Sequence, residues 1–335
     1  MRIIATVHKN SGVSFHRLIA PLLLMPDQDV FITNNLLEEH FEKGCGLFVY
    51  NRILPDHAMV TVRKLQKQYG FKICVDIDDY WHLDQSHLLY DDYIETGFAA
   101  MQIKHMREAD LITTTHERLS KAISMFNKNV HILPNAIPHT DQYAIERTPH
   151  EHTHLFWQGS DTHRHDIGIL RSPINRLNKI SRQIKMVMSG YVVDHPYWTA
   201  MVNDYTADLK HQYKLIPYAP VDSYYRAYAE ADICLVPLVN SIFNRMKSCL
   251  KILEAANLGL PVIASGVHPY LGMPVRFARQ PEDWVRHITD LVGSKDMQED
   301  EGMRLREYAH LNFNFERINI ERKQVFEHAT KTEKV

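Results

Sequence analysis

Arg245, Lys247, Ser248, Lys251 and Glu254 fall within ten consecutive positions, where the apolar run Ile233–Val236 leads through a polar loop into a helical pattern. Cations placed just ahead of a helix, beside the unpaired N–H groups of its first turn, suit a diphosphate. Ser248 is a good N-cap, and capping is compatible with a phosphate contact. Glu254 sits six residues further on, close to two turns away, so both side chains can face one cleft. A carboxylate there can accept from the two adjacent hydroxyls of a ribose. The plainer reading, a solvated Glu254 paired with Lys251 or Lys247, satisfies helical spacing but ignores the loop. The helix stops at Leu258-Gly259-Leu260-Pro261, which termination alone explains.

A second segment, Trp157-Gln158-Gly159-Ser160-Asp161-Thr162-His163, has the order strand, glycine, serine, helix. It can turn backbone N–H groups toward a phosphate, and makes Gly159, Ser160 and His163 candidate donor contacts. The strand end Val75-Asp76-Ile77-Asp78-Asp79 carries spaced carboxylates of the kind that hold Mg²⁺ or Mn²⁺. The reading preferred here is an acceptor hydroxyl positioned or deprotonated by Asp78 or Asp79, with His82 a weaker candidate. The 21 histidines include His150, His152 and His154, and also His163 and His165. Alternate spacing can gather metal ligands, yet no HExxH pattern occurs, so all but His163 read as solvated linker histidines and no metal site is assigned.

The elements that must hold these residues alternate short apolar runs with helical stretches, as in α/β layering with parallel strands. Strands are expected at Arg2–Val7, Val30–Thr33, Leu47–Tyr50, Lys72–Val75, Leu111–Thr114 and Val130–Leu133. A second series is expected at Thr153–Gln158, Gln183–Met188, Tyr213–Ile216, Ile233–Val236, Val262–Ala264 and Val275–Phe277. Ser14 is the expected N-cap of the first helix, after the loop His8–Val13. The proline-bearing polar stretch after Leu133 reads as a linker. The resulting organisation is two Rossmann-like, doubly wound parallel-sheet domains, 1–138 and 153–315. A linker at 139–152 joins them, and a terminal helix at 316–335 packs back toward the first. Ligands collect outside the carboxyl ends of such strands, so two facing sheets enclose a central cleft.

Lys247-Ser248-x-x-Lys251-x-x-Glu254, ending in Gly259-Leu260-Pro261-Val262-Ile263-Ala264-Ser265, resembles the nucleotide-sugar side of GT-B glycosyltransferases of the family-4-like group. The Gly159 loop, the run Leu111–Thr115 followed by Val130–Ile137, and the acidic strand end agree in order. The resemblance implies sugar transfer from a nucleotide diphosphate sugar to a hydroxyl acceptor, with retention and without an essential metal or other cofactor. It implies that Lys247 and Arg245 stabilise the departing diphosphate, and that Gly12, backed by His16 and Arg17, lies opposite it. Two features depart from the group. Met246 stands where a sugar-contacting glutamate is usual, and no Arg…Lys pair follows the first strand of the donor domain, leaving Arg245, Lys247 and Lys251 as substitutes. A non-catalytic GT-B-like binding or scaffold protein is the rival of another class.

The acceptor implied is a glycan, a lipid-linked glycan or a modified base in DNA, the last using Arg63, Lys64, Lys67 and Lys72 as a basic groove. A length of 335 residues suits two domains, and a net charge of −2 offers no global argument for nucleic acid or membrane. Four dispersed cysteines without a CxxC pair suggest a reducing, cytoplasmic setting. The apolar run Leu18–Met25 is interrupted by Pro21 and falls short of the ~20 residues of a membrane span.

Overall fold

The computed structural model describes residues 1–7, 11–206 and 212–331; the expected loop residues His8–Asn10 and the end of the terminal segment, 332–335, lie outside them. Twelve strands among the described residues form two parallel sheets. The first lobe holds β1 (Arg2–Thr6), β2 (Asp29–Thr33), β3 (Leu47–Asn51), β4 (Lys72–Ile77), β5 (Leu111–Thr114) and β6 (Val130–Ile132), in the order β2-β1-β3-β4-β5-β6. The second holds β7 (Thr153–Gln158), β8 (Ile184–Tyr191), β9 (Gln212–Pro217), β10 (Ile233–Val236), β11 (Val262–Ser265) and β12 (Arg276–Ala278), in the order β12-β11-β10-β7-β8-β9. Each expected strand is present. Between β6 and β7, residues 133–152 form neither helix nor strand.

Side chains alternate across each sheet, and both faces are covered. Ile4, Phe48, Tyr50, Ile73 and Val75 pack on one side with Met59, Val62 and Leu65 of the helix Asp56–Tyr69. Ile3, Ala5, Leu47, Val49 and Cys74 pack on the other with Leu18 and Leu22. The second sheet repeats this, with Phe156, Val187 and Cys234 against one layer and Leu155, Trp157 and Met186 against the other. Burying each of these larger apolar side chains contributes about 1.5–3 kcal/mol.

Helix boundaries follow local chemistry. The helix Asp56–Tyr69 stops at Gly70, whose φ of 74° is left-handed. The first helical segment starts at Gly12, earlier than expected: Ser11 is its N-cap, accepting from Ser14 N, and Ser14 is buried inside it. A π-helical turn, Phe15–Ile19, then directs His16 and Arg17 into the interior. The helix Lys295–Asn312 carries Gly302 at mid-length because a Cβ there would lie 1.9 Å from the Gly259 carbonyl oxygen. The last helix, Phe315–Lys331, reaches the first lobe: Phe326 joins the core beneath β1, Asn319 Nδ2 donates to the Pro21 carbonyl at 2.9 Å, and Lys323 meets Asp27 at 3.1 Å. No helix among the described residues is long and apolar enough to cross a membrane.

Candidate functional site

The carboxyl ends of β7, β8 and β9 open on a cavity of about 860 Å³, lined by Gln158, Gly159, Ser189, Gly190 and Tyr218. Leu250, Lys251 and Glu254 line it from the helix Leu250–Asn257, and Gly12 and His16 reach it from the first lobe. The strand-end loops interlock. Gly190 has a φ of 104°, and a Cβ on it would lie 2.2 Å from the Gly159 carbonyl oxygen; one on Gly159 would strike the Trp157 ring at 2.6 Å. Gly159 N donates to Ser189 O at 3.2 Å. The Gly159 N–H is therefore already used, contrary to the phosphate role expected for it; packing is what requires glycine there.

The helix Leu250–Asn257 begins beside the cavity with no side-chain cap. Its N-cap is Cys249, not Ser248, and the first N–H groups of the helix stay available. Ser248 is taken up elsewhere, its Oγ accepting from Asn135 Nδ2 of the first lobe at 2.8 Å. Lys251 is the cation that enters the cavity, with Nζ 5.8 Å from the Trp157 ring centre and no carboxylate paired with it among the described residues. Burial, with Lys247 adding to it and Asp166 and Glu254 opposing, pushes Lys251 down to about 8. Lys247 lies over the Phe243 ring at 4.6 Å and 4.0 Å from Asp79. Arg245 does not line the cavity: its Nε donates to Asn240 Oδ1 at 2.7 Å.

His163 Nδ1 meets Asp166 Oδ2 at 2.8 Å, while Asp166 Oδ1 accepts from Val239 N and Asn244 Nδ2. Asp166 thus joins the Gly159 loop to the loop after β10. Burial first, then the charges of Lys251 and Lys247, lower His163 to about 4, so it is neutral at pH 7. Ser160 lines the cavity, with Oγ bonded to Thr162 Oγ1 at 2.6 Å.

Glu254 is buried. Tyr224 Oη donates to its Oε1, and Tyr228 Oη to its Oε2 at 2.7 Å. Burial raises its pKa, against the pull of those hydroxyls and of Lys251. The single Tyr224 proton goes to Glu254, so His16 Nε2 is the donor in the 2.7 Å contact with Tyr224 Oη. His16 Nδ1 is then a bare acceptor, buried without a partner. These tyrosines were not read from the sequence; the i, i+4 spacing of Tyr224 and Tyr228 is the one signal they left.

The acidic strand end of the first lobe is arranged differently. Asp76 accepts from Arg17 Nε and Nη2 at 3.0 and 2.8 Å, from Thr113 Oγ1 at 2.6 Å and from Asn51 Nδ2 at 3.2 Å. Arg17 continues to Asn135 Oδ1 at 2.9 Å, and through Asn135 to Ser248, which joins the lobes. Arg52 clamps Asp78 with two bonds of 2.7 and 2.8 Å and reaches Asp79 at 2.8 Å. Burial would push Asp78 up, but the charge and bonds of Arg52 outweigh it and hold the carboxyl below its ordinary value. Neither Asp78 nor Asp79 lines the cavity, and Arg52 holds both carboxylates. His82 is exposed against Tyr80 and Trp81. Arg63, Lys64 and Lys67 lie on the outer helices with Asp56 and Glu108, sharing no residue with the cavity. Arg63 is 3.4 Å from Glu108, Lys64 3.7 Å from Glu38 and Lys72 3.8 Å from Asp110, so most of the supposed basic groove is neutralised.

Residues 151–294 match the model of the glycosyl transferases group 1 family. The two-lobed fold is GT-B. HepE of Anabaena, solved with UDP and glucose, is 11% identical with a TM-score of 0.64, over 98% of this chain and 100% of HepE. A UDP-forming trehalose-phosphate synthase from Burkholderia xenovorans is 9% identical with a TM-score of 0.62, over 88% and 76%. TarM of S. aureus is 13% identical with a TM-score of 0.61, over 84% of this chain and 54% of TarM, so the chain spans about half of TarM. No curated protein sequence matches the chain significantly. The group 1 match covers the lobe that supplies Gly159, Lys251 and Glu254, whereas Gly12 and His16 come from outside it.

Proposed function

We propose that this GT-B chain transfers a sugar from a nucleotide diphosphate sugar to a hydroxyl acceptor. The observation that carries the reading is Lys251: a half-buried cation with no ion pair among the described residues, beside an uncapped helix start, facing a cavity of about 860 Å³ at the strand ends. Lys247 is close enough for its charge to depress Lys251. Two like charges held together cost free energy that a bound diphosphate would relieve. The diphosphate then lies along the helix start, Glu254 accepts from the ribose, and the sugar faces Gly12 and His16. Water is excluded between the lobes.

The departing diphosphate is stabilised by Lys251 and Lys247 and takes the acceptor proton, which gives retention without a metal-dependent step. The acceptor is a glycan or lipid-linked glycan, and the setting is cytoplasmic. UDP is the first nucleotide to test, supported by the UDP bound to HepE and formed by the trehalose-phosphate synthase. A thermal-shift series with UDP, GDP and ADP and their sugars tests the donor. A specific nucleotide raises Tm by mass action, and Lys251→Met removes the rise. Equal shifts in the two proteins would discard the assignment. Release of free sugar from the chosen donor separates an enzyme from a binding module, and the anomeric configuration of the product tests retention.

A further inference from the structure

At the amino ends of β7 and β10, His150, His154 and Glu230 converge, each offering a ligand atom within 4.8 Å of the others. The sequence reading placed His150 and His154 among solvated linker residues; instead the His150 side chain is only 6% exposed and His154 is buried. His150 Nδ1 lies 3.0 Å from Asp232 Oδ2, a carboxylate further held by His154 N at 2.9 Å. That contact puts a ring proton on Nδ1, so a ring without a second proton offers the lone pair of Nε2. Nε2 is buried with no hydrogen-bond partner among the described residues and lies 3.5 Å from Glu230 Oε2. His154 Nδ1 is 3.8 Å from the same oxygen, and the two imidazoles stack with centres 3.6 Å apart. A ring nitrogen this close to a carboxylate oxygen needs a positive charge between them, which a second ring proton or a metal ion supplies, and two stacked imidazolium ions would repel. A carboxylate orienting a histidine whose other nitrogen is free is the outer-shell arrangement of metal sites.

We propose that His150 Nε2, His154 Nδ1 and Glu230 Oε2 bind a zinc-class divalent cation that pins the segment between β6 and β7 onto the second lobe. Two imidazoles and one carboxylate suit that class, and tetrahedral ligands about 2.0–2.1 Å from zinc lie roughly 3.3 Å from one another. The 3.5 and 3.8 Å distances to Glu230 Oε2 contract only slightly, while the two ring nitrogens, within 4.8 Å of each other, draw together. Water takes the fourth position. Lys214, 2.8 Å from Glu230 Oε2, must release that oxygen, and His154 Nδ1 must exchange its 3.0 Å contact with the Glu230 carbonyl for the metal. Arg147 and Lys295 stay on Asp232 at 3.2 and 3.6 Å. Glu230 and Lys214 also line the donor cavity, but the donor reading assigns neither a contact, so the metal site does not rest on it.

The test is titration of the tag-free, chelator-dialysed full chain with ZnCl₂, followed by calorimetry and thermal unfolding. One saturable equivalent and a Tm rise of about 5 °C at a hundredfold excess over Kd are expected. Affinity should fall at least tenfold in His150→Gln and in Glu230→Gln, and should rise in Lys214→Met, whose half-exposed side chain is not part of the core. Absence of a one-equivalent isotherm overturns the site, as does binding unchanged in both ligand variants, which would place zinc on other histidines. If the ligand variants fail to fold, Lys214→Met decides: unchanged or weaker zinc affinity overturns the proposal.

Discussion

Two groups of charged residues face each other across the join between the lobes, and they are built in opposite ways. On the first lobe, Asp76, Asp78 and Asp79 are saturated by Arg17 and Arg52, with Thr113 and Asn51 completing Asp76. On the second lobe, Lys251 has no ion pair among the described residues, Lys247 has a long one with Asp79 at 4.0 Å, and burial with the charges of both lysines holds His163 neutral. Charges that satisfy one another hold a scaffold. Like charges kept together with little pairing are strained until an anion arrives. Motif spacing treats the two groups alike, and only partner geometry separates them.

The comparison breaks most directly at Arg17. Arg17→Met leaves Asp76 buried and unpaired, and urea unfolding should show a loss of about 3–5 kcal/mol. Lys251→Met should do the reverse, leaving the unfolding midpoint unchanged or higher while nucleotide-diphosphate affinity drops by about 1.5–3 kcal/mol, measured by calorimetry. A large stability loss in Lys251→Met would erase the distinction. The pH dependence sharpens it. Lys251 is protonated below about 8 and neutral above. Affinity should therefore fall as pH rises through that value, approaching tenfold or about 1.4 kcal/mol per unit, and stay flat in Lys251→Met. The smallest effect is expected at the join. Ser248→Ala removes the acceptor of Asn135 and should cost about 1 kcal/mol, with a modest rise in KM for donor.

Asp78 adds a check from the acid side. Its folded pKa lies below the ordinary 3.8, so its pairing with Arg52 stabilises fully above that value, and the contribution disappears as pH falls through the lower, folded one. Arg52→Gln should flatten that part of the acid unfolding curve.

Much of the fold was legible because strand and helix periods are local. The runs at Leu47–Tyr50 and Ile233–Val236 are apolar throughout since both faces of each sheet are covered, and glycines at 70 and 259 mark helix ends. The site was legible in part. Gly159, Lys251 and Glu254 do meet at one cavity, with Gly12 across from them. Cys249, not Ser248, caps the helix, and the partners of Ser248 and Asp78, Asn135 and Arg52, lie far away in the chain and carry no spacing signal.

What the sequence determined by itself was the alternation of elements, the two parallel sheets, and the helix that delivers Lys251 and Glu254 to the strand ends. Backbone propensity and the period of apolar residues are properties of short windows, so they survive without tertiary context. The tertiary structure alone decided which charges are spent and which are free, because ionic pairing depends on distances of a few ångströms between residues that folding brings together. It also decided that His150 is buried, with an unpartnered nitrogen facing Glu230.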